Sequence, residues 1–491
     1  MELAISALTG ELVSRFVSFL TNKYHSSRAY SKENQLERLQ QLLLRVGMVI
    51  EEADSRYIVN SCMLIQLKML AAAMYRGHHV LDTIRSMKHR EFLEKQVWDS
   101  STLSVSTPYK RSRTVGSSIA TNMVTINSEL QSALQNLEAG VANMVEFVVL
   151  LSGYERISRR PYDAYLYIDN FMFGRHVEKQ KILMFLLEYD SPGRPVVLPV
   201  IGGNGVGKKT LIAHVCDNER VRSHFSMVLH LNGDDLFRIT DHEWMSGKTL
   251  VVIEFVSDVD EDDWATFHRS ITNMDRGSKV IILGRNAGLE KFGTVKPISL
   301  SCLSLEEYSY LFKTLAFGSA DQTDHPRLAA MVEKFATVLG GSLISANVLA
   351  DALRKNLSAH FWLSLLNGAR DSVKKNNTRF GAHPQELFSR GHPVHLIGGY
   401  ILSPATPSRI VKSANSMTSI PEEGLPRIMF GDLIAREGHV VLPRGDFRLI
   451  SWESRLPPYT SFVHLVRSAS SCVNDKPKTP LSGKKRPSLF G

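Results

Sequence analysis

Residues 202–210 constrain the fold more than any other part of this 491-residue chain. They read Gly-Gly-Asn-Gly-Val-Gly-Lys-Lys-Thr, and a short apolar run over residues 195–201 precedes them. Residues 210–215, which follow, have the composition of a first helix turn. A buried strand, a glycine-rich loop and a helix in that order are the context that a phosphate-binding loop requires. We therefore predict such a loop here in preference to an ordinary glycine-rich turn.

The loop fits the pattern Gly-x-x-x-x-Gly-Lys-[Ser/Thr] at all but its last position. Glycines let successive backbone N–H groups point at phosphate oxygens, and the lysine reaches the outer phosphates of a nucleotide. Lys209 then stands where the pattern has a hydroxyl that holds Mg²⁺. The predicted nucleotide-binding residues of the loop are Gly202, Gly203, Asn204, Gly205, Val206, Gly207, Lys208, Lys209 and Thr210.

Composition indicates a multidomain globular chain, with 43% hydrophobic and 22% charged residues. Its four cysteines (Cys62, Cys216, Cys302 and Cys472) are widely separated, which fits a reducing compartment. The first residues lack the basic start of a secretory signal, and no apolar run approaches about 18 residues. We expect a cytoplasmic protein without a membrane span.

The net charge of +9 raises the question of a nucleic-acid partner. Part of this charge lies in a Ser/Pro-rich tail, predicted to be disordered over residues 471–491. The tail's basic clusters make nuclear localisation an alternative, although a solvated tail is the favoured interpretation. Binding to nucleic acid is not predicted, because the chain has neither a zinc pattern nor a recognisable basic helix.

Three stretches within the first 98 residues repeat apolar side chains at spacings of three and four, as amphipathic helices do. We predict a helical bundle over residues 1–98 that buries these stripes. Gly77 interrupts the third stretch, and the adjacent His78 and His79 are expected at the surface rather than in a metal site. The stripes comprise Ile5, Leu8, Leu12, Phe16 and Phe19, then Leu36, Leu39, Leu43, Val46 and Ile50, then Leu64, Leu70, Met74, Leu81 and Met87.

A Ser/Thr-rich, basic stretch over residues 99–118 is predicted as a linker. A four–three repeat then extends from Leu130 to Leu151, and we place this heptad helix and a connector within residues 119–165. The helix either mediates self-association or packs on the nucleotide-binding domain. Three heptads are marginal for an independent coiled coil, which favours packing within the chain.

Strand-like apolar runs alternate with helical segments over residues 166–300, which is typical of a parallel sheet covered by helices. One run ends in Glu254 and Phe255, where ATPases usually carry one or two aspartates that hold Mg²⁺ and position water. Glu254 is the candidate for a water-mediated metal contact, with a surface carboxylate as the alternative, and Phe255 cannot act as a base. The runs after the loop are residues 227–231, 250–253, 279–283 and 297–300.

Four further segments follow one another in a recognisable order. They are Phe-Gly-Arg-His-Val-Glu at residues 173–178, Gly-Ser-Lys-Val-Ile-Ile-Leu-Gly-Arg at 277–285, Leu-Ser-Leu-Glu-Glu-Tyr-Ser-Tyr-Leu-Phe at 303–312 and Gly-Gly-Ser-Leu-Ile at 340–344. Together they resemble the motifs of plant coiled-coil nucleotide-binding (NB-ARC) disease-resistance proteins, the NLR family, in a repeat-lacking or truncated form. The resemblance covers about residues 1–366.

This resemblance implies a mainly α plus α/β multidomain fold, with an N-terminal helical bundle, a P-loop NTPase-like parallel sheet, a helical subdomain and a small C-terminal β-containing region. It implies ADP or ATP as the ligand, with Arg285 sensing the terminal phosphate. Partners would be the nucleotide and, through the N-terminal helices, the chain itself or another NLR. We place the nucleotide-binding domain at residues 166–300, the helical subdomain at 301–370 and a region of uncertain fold at 371–470.

Several departures from the family pattern bear on activity. Lys209 replaces the magnesium-binding hydroxyl, Phe255 replaces the second aspartate, and Leu283 and Gly284 replace paired threonines. Residues 340–344 stand where the family has Gly-Leu-Pro-Leu, and they contain no proline. The family's Met-His-Asp triplet is missing from the sequence, and no leucine-rich period follows residue 366. These departures put Mg²⁺ binding in doubt and argue against an efficient ATPase.

The sequence thus favours a nucleotide-binding switch or scaffold in plant defence with weak or absent hydrolysis. One alternative is a slow Mg²⁺-dependent ATPase of the same family. Another is a degenerate adaptor that binds another immune receptor without nucleotide. No catalytic residue is assigned, and whether the chain is an enzyme is left open.

Overall fold

The computed structural model describes the chain between Lys32 and Ser468, with gaps. The described residues are 32–54, 56–100, 114–154, 173–187, 196–203, 205–233, 247–255, 261–272, 274–389, 392–395, 400–403, 426–430, 433, 447–453 and 461–468. The first apolar stripe, over residues 5–19, and the basic tail, over residues 471–491, lie outside them.

Four helices form the N-terminal bundle: α1 (Lys32–Asp54), α2 (Ser61–Ser100), α3 (Thr114–Ala142) and α4 (Met144–Ser152). One hydrophobic core joins them, in which Leu42 of α1, Leu67 of α2 and Leu137 of α3 are almost fully buried. α2 continues through Gly77 where the sequence predicted an interruption. A β-carbon at this position would lie only 2.8 Å from Leu43 Cδ2 and 3.0 Å from Leu137 Cδ1, so glycine permits the close packing of three helices.

The heptad segment packs within the chain, as favoured, but against the helices of this bundle in place of the nucleotide-binding domain named for it. Leu130 and Leu151 face the same core as α1 and α2, and Arg38 of α1 pairs with Glu138 of α3 at 3.2 Å. The physical reason is that two amphipathic helices alone would leave part of their apolar stripes uncovered. α2 continues to Ser100 and α3 begins at Thr114, so both ends of the predicted linker, residues 99–118, are helical.

No single described helix is long and apolar enough to cross a membrane. One bent pair, Thr125–Ala142 followed by Met144–Ser152 at 45°, satisfies that criterion by length and composition alone. Leu137, Met144 and Phe147 of this pair are buried in the core of the bundle.

The α/β unit contains helices α5 (His176–Leu187), α6 (Lys208–Cys216), α7 (Glu219–His224) and α8 (Glu261–Ile271), and strands β1 (Val196–Gly202), β2 (Met227–Asn232), β3 (Thr249–Glu254), β4 (Lys279–Gly284) and β5 (Ile298–Leu300). The strands pair in parallel in the order β2-β3-β4-β1-β5. Leu198 and Ile281 contribute to a core shared with α5, α6 and α7, whereas Val251 and Ile282 contribute to a second core shared with α8. Such continuous apolar strands suit a sheet covered on both faces, and the predicted α/β fold is confirmed.

Helices α9 (Leu305–Phe317), α10 (Pro326–Leu339), α11 (Leu343–Lys355) and α12 (Ala359–Phe380) form a helical subdomain with its own core. Ser304 begins α9 as a capping box: its hydroxyl accepts from the Glu307 amide, and the Glu307 carboxylate accepts from the Ser304 amide. The Trp362 side chain is fully buried and donates to the carbonyl oxygens of Leu353 and Asn356, each at 3.1 Å, which fixes α12 against α11.

The C-terminal unit comprises helix α13 (Pro384–Ser389) and strands β6 (Val394–His395), β7 (Tyr400–Ser403), β8 (Arg427–Met429), β9 (Phe447–Glu453) and β10 (Ser461–Ser468). These strands form a second sheet in the order β6-β7-β10-β9-β8, antiparallel except for the β8–β9 pair. Phe447, Leu449 and Val466 form its core with Leu387 of α13. The predicted β-containing region is therefore confirmed, although α12 extends past the boundary expected at residue 370.

α2 of the bundle lies against α9 and α10 of the helical subdomain. Lys313 of α9 is buried and forms an ion pair of 2.6 Å with Asp82 of α2. The Tyr310 ring packs 4.7 Å from the His78 ring, and His79 lies 4.0 Å from a carboxylate of α10. Burial, followed by the charge of Lys313, lowers the pKa of His78 to about 3. Both histidines are partly exposed, as expected, and they lie at a helix–helix interface.

Candidate functional site

The glycine loop lies at the edge of the parallel sheet where the carboxyl ends of the strands meet, which is where ligands bind in folds of this type. β1 enters the loop and α6 leaves it. Because β4 lies between β1 and β3, Arg285, which directly follows β4, stands between the loop and Glu254 at the end of β3. The structure thus brings the loop and both predicted strand-end residues to one edge of the sheet.

The described backbone at the end of the loop has features typical of a phosphate-binding loop. Gly207 caps α6 in the left-handed conformation, with φ of +89°, which glycine adopts at little cost. The first amides of a helix have no acceptor within the helix and attract an anion. Within the loop, the Val206 side chain is buried, Gly203 and Gly205 are exposed, and Asn204 lies outside the described residues.

The Lys208 side chain folds back over the loop. Its Nζ donates to the carbonyl oxygens of Gly202 at 2.6 Å and Gly203 at 2.7 Å. Burial, followed by the nearby positive charge of Arg285, lowers the pKa of Lys208 to about 8. A phosphate anion near this ammonium group would favour its charged form and raise this pKa again.

Lys209 and Glu254 form an ion pair across the site. Lys209 Nζ lies 2.5 Å from Glu254 Oε1, with the two side chains 36% and 19% exposed. At the position where the loop pattern has a hydroxyl, this chain therefore has an ammonium group, which contacts the carboxylate at the end of β3. Thr210 follows on the same helix and is half-buried.

Phe255 belongs to the hydrophobic core and not to the surface of the site. Its side chain is 6% exposed and meets the Trp264 ring of α8 edge to face at 6.4 Å. A β-carbon on Gly233 would lie 2.5 Å from Phe255 Cδ1, so the backbone after β2 packs directly on the ring. The place of a second acid is thus filled by an aromatic packing residue.

The described residues of this edge do not fit Mg²⁺. Magnesium needs near-octahedral oxygen ligands, usually one or two carboxylates with phosphates and waters. Here the hydroxyl position carries an ammonium group, which pairs with Glu254, and the second acid position carries a phenyl ring. Across the described part of the chain, no group of three or more His, Cys, Asp or Glu side chains is arranged to hold a metal ion. In the structure the Glu254 carboxylate, the candidate for a metal contact, pairs with the Lys209 ammonium group.

Arg175 stabilises the loop through hydrogen bonds to backbone carbonyl groups, a role that the sequence did not reveal. Its Nη2 donates to the Val206 carbonyl at 3.3 Å and to the Ser301 carbonyl after β5. Only 5% of the residue is exposed, and burial lowers the pKa of its guanidinium group. The only sequence signal was its position within residues 173–178, a segment noted for resemblance alone.

The helical subdomain also reaches the loop. Leu343 at the start of α11 lies 3.4 Å from where a β-carbon on Gly207 would stand. Ser342 caps α11 by accepting from the Ser345 amide at 3.3 Å, and its carbonyl accepts from the Tyr308 hydroxyl at 2.8 Å. Serine is a favourable N-cap, so α11 begins without the proline that the resemblance led us to seek.

Among solved structures, the chain is similar to one titled "Structure of Drosophila ORC bound to DNA", with 13% identity and a TM-score of 0.25 over 46% of this chain and 67% of that chain. It is also similar to domain III of the Thermotoga maritima replication initiation protein DnaA, with 12% identity and a TM-score of 0.24 over 46% of this chain and 93% of that one. The fold and loop of this chain themselves define its class: a phosphate-loop α/β domain joined to a helical bundle, a helical subdomain and a small β unit.

No protein-family model matches the chain. Its sequence is 24% identical over 375 residues to disease resistance protein RGA2 of Solanum bulbocastanum, covering 70% of this chain and 36% of that protein. It is 22% identical over 387 residues to the putative disease resistance RPP13-like protein 1 of Arabidopsis thaliana, covering 72% and 36%. The chain therefore has plant disease-resistance proteins as relatives and spans 36% of the length of these two.

Proposed function

We propose that this chain is a nucleotide-binding switch or scaffold of plant defence, which holds ADP or ATP with weak or absent hydrolysis. The observation that carries the proposal is the asymmetry of the site. The loop backbone and Lys208 have the arrangement that holds phosphate, whereas Lys209 and Phe255 occupy the positions of groups that hold Mg²⁺ and position water.

Charge supports the binding half of this proposal. Lys208, Lys209 and Arg285 bring three positive charges to the sheet edge, and Glu254 brings one negative charge. Repulsion from Arg285 contributes to the lowered pKa of Lys208. A diphosphate or triphosphate would relieve that repulsion through charge-assisted hydrogen bonds, which are stronger than neutral ones.

The chemistry of phosphoryl transfer supports the other half of the proposal, which is weak or absent hydrolysis. Phosphoryl transfer to water depends on a metal ion that neutralises developing charge and on a residue that positions the attacking water. In this chain Phe255 lies in the core, and Glu254 is held by an ammonium group. Loss of such groups removes the charge stabilisation and the water positioning on which hydrolysis depends.

The role in defence follows from the relatives, whose names describe disease resistance. Because the chain spans 36% of their length, this role is part of the proposal and rests on sequence similarity. A cytoplasmic location fits the described thiols, since Cys62, Cys216 and Cys302 are free and disulfides are rare in reducing compartments.

A series of direct contacts supports a switch, because it joins the loop to the N-terminal bundle. Leu343 of α11 packs near Gly207, and the residue before it accepts a hydrogen bond from Tyr308 of α9. α9 also carries Lys313, which pairs with Asp82 of α2. A nucleotide that moves the start of α11 would therefore act on a helix that holds α2 in place.

Hydrogen exchange of the full chain, with and without ADP, tests this proposal. We expect ADP to slow amide exchange in the loop and α6, and to change exchange in α9 and α2, with no effect in the Lys208→Ala variant. Lys181→Ala, which removes an exposed lysine of α5, is the matched control and should respond as the wild type does. Protection confined to the loop would contradict a switch, and no protection at all would indicate a nucleotide-free adaptor. Rapid Mg²⁺-dependent phosphate release would contradict weak hydrolysis.

A further inference from the structure

We infer that the site binds ADP or ATP without a divalent metal, because the Lys209 ammonium group, held by Glu254, stands in the place of Mg²⁺. The inference rests on the proposed nucleotide binding and adds its ionic requirement. It would make this chain a phosphate-loop protein whose metal has been replaced by one of its own side chains.

The position of Lys209 carries the argument. It is the second residue of α6, directly after the lysine that folds over the loop, and its Nζ lies 2.5 Å from Glu254 Oε1. An ammonium group has three N–H donors. It is therefore able to donate to a carboxylate on one side and to phosphate oxygens on the other, which is the bridging role that a metal ion and its water ligands perform in ATPases.

The same geometry disfavours a metal ion beside the pair. A cation placed between Glu254 and the phosphates would compete with an ammonium group already 2.5 Å from that carboxylate. Like charges at such short range repel strongly in a partly buried site. The ring of Phe255, packed against Trp264, offers no oxygen ligand in compensation.

The balance of charge at the end of β3 also favours nucleotide binding without a divalent metal. Without Lys209, the half-buried Glu254 carboxylate would face phosphate anions at the end of β3. A carboxylate near phosphate is unfavourable unless a cation lies between them. Lys209 supplies that cation permanently, so the site is prepared for phosphate in solutions from which divalent ions have been removed.

The test measures ADP affinity by calorimetry on the nucleotide-stripped full chain, in EDTA and in excess Mg²⁺. The wild type should bind ADP equally in both solutions, within about twofold. Lys209→Thr, which restores the hydroxyl of the loop pattern, should bind about tenfold more weakly in EDTA and should recover affinity when Mg²⁺ is added. Lys181→Thr, the same substitution on exposed α5, should behave as the wild type does.

The outcomes separate this inference from the proposed function. Wild-type binding that is at least tenfold tighter in Mg²⁺ than in EDTA would overturn the inference and leave nucleotide binding intact. An equal affinity of Lys209→Thr and wild type in EDTA would also overturn it, because Lys209 would then contribute nothing. No ADP binding by the wild type in either solution would overturn the proposed function itself. Thermal melting without ligand checks the folding of Lys209→Thr, and the wild-type comparison stands without that variant.

Discussion

Two sides of the same site differ in how they are built. The loop side, residues 202–208, depends on backbone: a left-handed Gly207, the start of α6 and carbonyl oxygens that receive the Lys208 ammonium group. The acid side, Glu254 and Phe255, depends on side chains, of which one is held in an ion pair and the other packs in the core. The loop side has features of a phosphate-binding loop, whereas the acid side carries an ion pair and a packed aromatic ring where ATPases usually carry acids.

Holding a nucleotide and hydrolysing it make different physical demands on a site. Phosphate binding needs amides and positive charge, which the loop provides with little help from particular side chains. Hydrolysis in addition needs oxygen ligands for a metal ion and a group that positions the attacking water. The proposed switch would need only the first of these arrangements.

The largest expected effect comes from returning an acid to the acid side. Phe255→Asp should destabilise the protein by about 4 kcal/mol or more, because it removes a buried ring and places a carboxylate in its core. Phe255→Leu, the matched apolar control, should lose less than about 1.5 kcal/mol. Urea unfolding followed by circular dichroism measures both. A Phe255→Asp variant as stable as the wild type would show that packing does not fix this position.

The next effect tests the loop side alone. Lys208→Ala should weaken ADP binding by about 100-fold, because it removes the charge-assisted hydrogen bonds from the loop lysine to phosphate. Calorimetry measures the affinity, and circular dichroism checks the fold. An affinity within a few-fold of the wild type would mean that the loop does not hold the phosphates as proposed.

A smaller effect concerns pH. The pKa of Lys208 is about 8, lowered from its usual 10.5, and a bound phosphate would raise it again by favouring the charged form. Below about pH 8 Lys208 is already protonated and ADP affinity should stay constant. Above pH 8 binding must take up a proton, so affinity should fall by up to about tenfold per pH unit until the pKa of the complex is reached. Calorimetry from pH 7 to pH 9.5 measures this, and a flat wild-type profile would contradict the account.

The smallest effect distinguishes the two nucleotides. Arg285 is exposed at the end of β4, beside the loop. If it contacts the terminal phosphate, Arg285→Ala should weaken ATP binding by about fivefold, the scale of one solvent-exposed charged contact, and should leave ADP binding nearly unchanged. Competition between the two nucleotides on one protein sample measures the ratio. An equal loss for ADP and ATP would assign Arg285 to general attraction of phosphate.

Local sequence signals were sufficient for the strands and the loop. The apolar runs and the glycine pattern act over a few residues, so β1 to β5 lie within one residue of their predicted bounds, and α6 begins two residues before its predicted first turn. The same reasoning found the departures at Lys209 and Phe255 from the loop and strand patterns alone. It did not find what those residues do, because their partners are distant in sequence: Glu254 for Lys209 and Trp264 for Phe255.

Contacts between helices were a second kind of feature that the sequence did not predict. Gly77 was read as an interruption, since its effect depends on Leu43 and Leu137, which approach from two other helices. The heptad helix was assigned to the wrong neighbour because a periodic stripe shows that a face is covered and does not show by what. The buried Arg175 supports the loop through two carbonyl groups, and backbone partners leave no trace in a sequence.

The most direct test of the central claim is to purify the full chain without added nucleotide, denature it and identify the released nucleotide by chromatography. We predict near-stoichiometric ADP or ATP from the wild type and none from Lys208→Ala. An empty wild-type protein that also gains no thermal stability in excess ADP or ATP would contradict the claim. The chain would then be a helical adaptor built on a phosphate-loop fold that no longer binds phosphate.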